Sequence, residues 1–100
     1  MGRGNRSDGL PDGAAQRGLW RLMLKLPSVR GRLQILAGRS EALDSLCEAY
    51  EDASSTLERV LRERGDDKGP LVKEYQIICS EIETDVIAYC LKHHSSMPRL

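Results

Sequence analysis

The clearest pattern in the chain is an apolar stripe of helical period that begins near residue 40. Its members recur at alternating spacings of three and four residues, as on one face of an α-helix. They are Leu43, Leu46, Tyr50, Ala53, Leu57 and Val60. Ser40 precedes the stripe as a candidate N-cap, and Glu41 falls in the first turn, where the helix dipole favours an acid. The pattern predicts a helix over about 41–64.

A second stripe follows a strong turn signal. The segment GDDKGP at 65–70 combines Gly, Asp and Pro, each of which favours a turn, and Pro70 suits the first position of a helix. The apolar residues after it are Leu71, Tyr75, Ile78, Cys79, Ile82, Val86, Tyr89 and Cys90. They predict a second helix over about 70–92.

The two long helices predict an all-α fold built on an antiparallel two-helix hairpin over residues 39–94. If the turn is centred near residue 68, facing residues have numbers that sum to about 136, so that Leu57 faces Cys79 and Tyr50 faces Val86. Nearly every pair in this register is apolar on both sides. The predicted interaction seam consists of Leu43, Leu46, Tyr50, Leu57, Val60, Tyr75, Ile78, Ile82 and Val86.

A shorter amphipathic pattern over residues 19–38 precedes the hairpin. Its apolar face carries Leu19, Leu22, Met23 and Leu26. Pro27 ends this short helix or begins the next, and apolar residues continue at helical spacing as far as Gly38, a plausible C-terminal stop. Because its basic charge opposes that of the hairpin, we predict that residues 19–37 pack at least partly on the hairpin.

The two ends of the chain lack such periodicity. Residues 1–18 are rich in glycine and polar side chains and have no apolar period, so we predict a disordered leader. Residues 95–100 are predicted to form a flexible tail.

Charge divides the chain into two halves. The formal net charge is zero, but residues 1–39 carry eight basic and two acidic residues, a net charge of +6, and residues 40–100 carry −6. The basic leader comprises Arg17, Arg21, Lys25, Arg30 and Arg32. Such a segment can bind phosphates or an anionic membrane surface, which stays open as an alternative function. Trp20 is its only aromatic residue and no recognised reading motif is present, which argues against a nucleic-acid partner.

Most acidic residues of the hairpin fall off the apolar stripes. We therefore expect the clusters around Glu51 and Glu83, and the outer-face residue Glu58, to face solvent rather than to serve as catalytic carboxylates, which need a pocket. Phosphate-binding glycine loops, zinc-protease motifs and di-iron motifs are absent from the sequence. The prediction is a protein that is not an enzyme and has no cofactor.

The three cysteines, an odd number without a C-x-x-C spacing, are expected to be free thiols. Neither a secretory signal nor an apolar run long enough to span a membrane is found in the sequence. The expected location is a reducing bacterial cytoplasm.

The segment CLKHH concentrates a thiol and two imidazoles within one helical turn. In the predicted register Cys47 approaches Cys90, so that Cys47, Cys90, His93 and His94 are candidate zinc ligands, or the two thiols a redox pair. All three cysteines nevertheless sit where small apolar side chains are wanted, and the histidines suit the end of a helix. We therefore predict a structural role, with a thiol- or zinc-responsive hairpin as the alternative.

The segment LDSLCEAYEDASSTLERV resembles the first helix of the YdcH-like proteins, small bacterial helical hairpins of unknown function. Leu43, Leu46, Tyr50, Ala53 and Leu57 occupy the apolar and aromatic places of that pattern, and the resemblance covers about residues 33–92. It departs where the family tends to have Asn-Pro-x-Phe, since the residues at 40–43 are Ser-Glu-Ala-Leu. The resemblance implies a hairpin fold and no catalytic residue.

These features together predict a small helical interaction module. Two helices alone cannot surround a core, so a homodimer that forms a four-helix bundle is the expected assembly, with another protein as a further possible partner.

Overall fold

The computed structural model describes residues 13–63 and 68–93, and all the secondary structure in these two ranges is helical. Helix α1 spans Gly13–Lys25, and a 3-10 helix at Pro27–Val29 leads into α2 at Arg30–Leu36. The long helices are α3 at Glu41–Arg62 and α4 at Gly69–His93. The prediction of an all-α fold is confirmed, and α3 and α4 begin and end within about two residues of the predicted long helices.

Helix α1 begins earlier than the sequence pattern indicated. Residues 13–18 were predicted to belong to a disordered leader, and this is wrong, because they form the first half of α1 with Ala15 and Gly18 buried. Small residues carry little hydrophobic signal, so the apolar face of α1 became apparent only from Leu19 onward. Packing against another helix stabilises this segment more than its intrinsic propensity does. Residues 1–12, the rest of the predicted leader, and the predicted tail lie outside the described residues.

Local signals set the connection from α1 to α3. Pro27 opens the 3-10 helix, and Gly38 adopts a positive φ of 77° just after α2 ends. Glycine reaches this conformation without the steric cost that a side chain imposes. The Ser40 hydroxyl accepts a hydrogen bond of 3.1 Å from the Leu43 N–H, which confirms Ser40 as the N-cap of α3.

Helices α3 and α4 pack against each other and run in opposite directions. The Tyr50 hydroxyl donates to Glu83, and the Ser54 hydroxyl lies 3.8 Å from the Cys79 thiol. The numbers in both pairs sum to 133, so the predicted sum of about 136 is displaced by three residues at this level. The reason is that α3 ends at Arg62 and α4 begins at Gly69, which places the centre of the connection before residue 68.

Helix α1 also packs along α3, so that α1 and α4 each have their main contact with α3. The two backbones meet where Gly18 lies against the carbonyl group of Cys47. The predicted packing of residues 19–37 on the long helices is confirmed, since this segment places four nearly inaccessible side chains in the common core. The buried core residues are Ala15, Leu19, Leu22, Val29, Leu33, Leu43, Cys47, Tyr50, Ala53, Cys79, Val86 and Cys90.

No helix within the described ranges combines the length and the apolar character that crossing a membrane requires.

The contact at Gly18 makes a specific prediction about stability. A Cβ atom at this position would lie 1.8 Å from the Cys47 carbonyl oxygen, which forces the two backbones apart. We expect Gly18→Ala to lower the free energy of unfolding by about 2 kcal/mol or more, as overpacking does elsewhere. Urea unfolding followed by circular dichroism measures the change.

Gly31 in α2 is the matched control, because nothing lies within 4 Å of the position that its Cβ would take. Gly31→Ala should leave stability unchanged or raise it by up to about 1 kcal/mol through helix propensity. Equal effects of the two substitutions would contradict the close approach at Gly18.

Candidate functional site

The densest polar cluster of the described residues lies where α1 crosses α3. The Glu51 carboxylate accepts hydrogen bonds from Arg21 Nε at 2.7 Å and from Arg17 Nε at 3.2 Å. Arg21 also donates to the Glu58 carboxylate, with its Nη1 2.8 Å from Glu58 Oε2. The Glu51 side chain is only 12% exposed, whereas Arg17 is 60% exposed. Arg21 therefore bridges two carboxylates about two helical turns apart on α3. The Glu51 side of this bridge is shielded from water.

A second ion pair ties α1 to α4. Lys25 Nζ lies 2.9 Å from Glu83 Oε2, and the Tyr50 hydroxyl of α3 donates to the same oxygen at 2.5 Å. The Glu83 side chain is 15% exposed. One carboxylate oxygen thus joins side chains from α1, α3 and α4, which fixes the relative positions of the three helices.

These contacts shift the protonation of the groups involved. Burial opposes the charge on Glu51, but the hydrogen bonds and charges of Arg21 and Arg17 outweigh it and lower the pKa of Glu51. The hydrogen bond from Arg21 likewise lowers the pKa of Glu58. Burial, and then the hydrogen bond to Glu83, raise the pKa of Tyr50. The carboxylates are therefore held ionised and the phenol protonated, which suits a structural ion network.

A cleft of about 400 Å³ lies between α1, α3 and α4 beside this network. Its lining residues include the ion pairs Arg21–Glu58 and Lys25–Glu83, together with Tyr50, Ser54, Leu57 and Cys79. The charged groups that line it are paired with one another. Because these carboxylates are already neutralised by arginine or lysine, the arrangement stabilises the helix contact and does not present a poised acid and base.

The thiols are all buried and free. Burial, with smaller contributions from Asp44 and Cys90, raises the pKa of Cys47 to about 12. Burial also raises the pKa of Cys90, although the charge of Arg32 opposes this. Thiols with raised pKa values are poor nucleophiles and poor metal ligands, since both roles need the thiolate.

His93 lies apart from this buried environment. His93 is exposed in the last turn of α4, and its ring stacks on Tyr89 with the centroids 4.1 Å apart. His94 lies outside the described residues. In the part of the chain that the structure describes, no three His, Cys, Asp or Glu side chains are grouped so that they could hold a metal ion.

The residues of the predicted interaction seam all belong to α3 or α4. Its members divide between fully buried and half-buried side chains. The buried ones are Leu43, Tyr50, Val60 and Val86, and the half-buried ones are Leu46, Leu57, Tyr75, Ile78 and Ile82.

The basic leader is not a uniformly solvated charge patch. Arg17, Arg21 and Lys25 all pair with acids of α3 or α4. Arg30 donates from Nε to the Met23 carbonyl oxygen at 3.0 Å, near the end of α1, and Arg32 is half-buried in α2. Three of the five predicted basic residues therefore serve the internal contact.

Sequence reasoning missed the acidic half of this site. Glu51 and Glu83 were expected to face solvent, and this is wrong, because α1 covers both carboxylates. Glu58 is half-exposed, but it pairs with Arg21 and is not a free outer-face residue. The opposite net charges of the two halves were the available signal, although they do not tell which acid meets which base.

No family model matches the chain, and no curated protein or solved structure is significantly similar to it. The resemblance to YdcH-like proteins therefore stays a prediction.

The Glu51 cluster predicts a loss of stability in acid. A carboxylate whose pKa is lowered on folding stabilises the protein above its ordinary pKa of 4.5, and this contribution is lost as the pH falls through the folded-state value. Glu51→Gln should cost about 2 kcal/mol at pH 7 and should make stability less sensitive to pH below 4.5. Urea unfolding at a series of pH values measures both effects.

Glu48, which is exposed on α3, is the control. Glu48→Gln removes the same charge, but Glu48 takes part in none of the ion pairs among the described residues. An identical pH profile for the two variants would show that Glu51 contributes no more than an ordinary surface acid.

The buried thiols predict slow chemical modification. With a pKa of about 12 for Cys47, the thiolate fraction at pH 8 is on the order of 10⁻⁴. Iodoacetamide should label Cys47 at least about 100-fold more slowly in the folded protein than in urea, because both burial and protonation oppose attack. Mass spectrometry of digested protein locates the label. Comparable labelling rates in the two states would refute the burial of this thiol.

Proposed function

We propose that this protein is a small helical interaction module that works by binding protein chains, its own second copy included, and not by catalysis. The observation that carries the proposal is the outer face of α1. Trp20 and Leu24, one turn apart on that face, are 56% and 78% exposed. The opposite face of the same helix is buried against α3. An exposed tryptophan beside a leucine offers the kind of apolar anchor on which protein interfaces depend.

The internal use of the reactive groups supports this proposal. The carboxylates beside the cleft are paired with basic side chains. The three thiols are buried, and burial raises the pKa values of Cys47 and Cys90. A thiol-responsive or zinc-responsive hairpin through Cys47 and Cys90 would first have to open the core in which both thiols are buried. Binding through the exposed face of α1 needs no such rearrangement.

The charge pattern supports a protein partner over nucleic acid or a membrane surface. Arg17, Arg21 and Lys25 are neutralised by glutamates, which weakens the field that phosphates would meet. Leu19 and Leu22, the apolar residues that an interfacial helix would insert into lipid, are already buried in the core.

The proposed assembly is a homodimer. The half-buried seam residues leave apolar surface that a second copy would cover, and a two-fold pair is the commonest closed arrangement. The free thiols fit a reducing compartment such as the bacterial cytoplasm, and the resemblance to YdcH-like hairpins is compatible with this role.

Molar mass in solution tests the proposal. Light scattering or sedimentation equilibrium should give twice the 11.2 kDa of one chain at about 50 µM, where specific interfaces of ordinary affinity are occupied. Leu24→Glu should lower the affinity of association by about tenfold or more, since it places a charge in the proposed anchor.

The matched control is Ile77→Glu on the outer face of α4, where the isoleucine is 51% exposed. It should leave the mass unchanged if association depends on the α1 face. A wild-type protein with the mass of one chain up to about 200 µM would contradict self-association.

A further inference from the structure

The first three helices form an N-terminal arm that is distinct from the pair of long helices. We define the arm as residues 13–36, which comprise α1, the 3-10 helix and α2, and these three elements pack on one another. The arm's main contact with the rest of the chain is that of α1 on α3. This contact is made by side chains such as Arg21 and Glu51 and by the backbone approach at Gly18. Because every copy of the chain carries the same residues, α1 of one copy can form the same contact with α3 of another.

Four residues connect the arm to α3. Ala37 and Ser40 have extended backbone conformations with ψ of 132° and 120°, and Gly38 between them has the positive φ of 77°. Residues at the end of a helix that absorb a large change in φ and ψ are the usual hinges of rigid-body motion. A different conformation at 37–40 would redirect the arm without altering any helix.

Charge restricts how two copies attract each other. Residues 13–39 contain six basic and no acidic residues, whereas α3 and α4 with the adjoining described residues contain eleven acids and five bases. When the arms are detached from their own chains, two arms repel each other and two helix pairs repel each other. Electrostatic attraction between the opened copies then favours the arm of one on the helix pair of the other.

We propose that two copies associate by exchanging arms, so that α1 of each chain packs on α3 of the other. The contacts of Gly18 with Cys47, of Arg21 with Glu51 and Glu58, and of Lys25 with Glu83 re-form between chains. Both exchanged contacts are related by a two-fold axis, which closes the assembly at two chains. The inference rests on the proposed self-association and adds a second contact between the copies, that of the inner face of α1 on α3, to the proposed anchor at Trp20 and Leu24.

Two charge-reversed chains test the exchange. The first carries Arg17→Glu and Arg21→Glu, and the second carries Glu51→Arg and Glu58→Arg. Each chain alone opposes like charges at the contact, but the arm of either chain matches α3 of the other. In an equal mixture we expect mixed dimers in about tenfold excess over both homodimers by native mass spectrometry, with a mixture more stable to urea than either chain alone.

If either chain is unfolded by itself, recovery of helical circular dichroism on mixing is the readout, and a mixture without recovery overturns arm exchange.

A third chain that carries all four substitutions is the control, because its own arm and α3 are matched. Mixed with wild type, it should form fewer mixed dimers than random pairing gives, since its arm repels α3 of the wild type. Random pairing in both mixtures would overturn arm exchange and leave self-association through another surface intact. A wild-type protein that stays at the mass of one chain contradicts self-association itself, which separates the two failures.

Discussion

The architecture depends on one close approach, that of the α1 backbone to the α3 backbone at Gly18 and Cys47. A side chain at position 18 would hold the two helices apart, and the short side chains that now fill the interface would no longer meet. The approach also sets the position of α1 along α3, and with it the contact of Arg17 and Arg21 with Glu51. Packing and electrostatics at this contact are therefore one constraint and not two separate contributions.

A core without phenylalanine explains why this contact matters. Two long helices shield each other on one side only, and with few large side chains they bury little apolar area. The arm adds a third helix and brings Leu19, Leu22 and Leu33 into the core. The ion network at its edge is partly exposed and contributes modestly to stability, but it selects the direction and register in which α1 lies on α3.

The same contact links structure to the proposed function. Charges that would otherwise attract phosphate are neutralised inside the chain, and the thiol of Cys47 is buried. The large apolar side chains that the arm exposes to solvent are Trp20, Leu24 and Ile35. In the proposed function the chain offers partners an apolar face and an exchangeable helix, whereas the ionisable groups at the contact hold the helices together.

Local information in the sequence determined the helical fold, the two long helices, the stop at Gly38 and the cap at Ser40, because helix period and capping involve residues three or four apart. The start of α1 was missed because Ala15 and Gly18 gain their importance from a neighbouring helix. Glu51, Glu58 and Glu83 could not be assigned because their basic partners lie between 30 and 58 residues away. Which acid meets which base follows from how the helices pack, and the close approach at Gly18, which only the tertiary structure reveals, decides that packing.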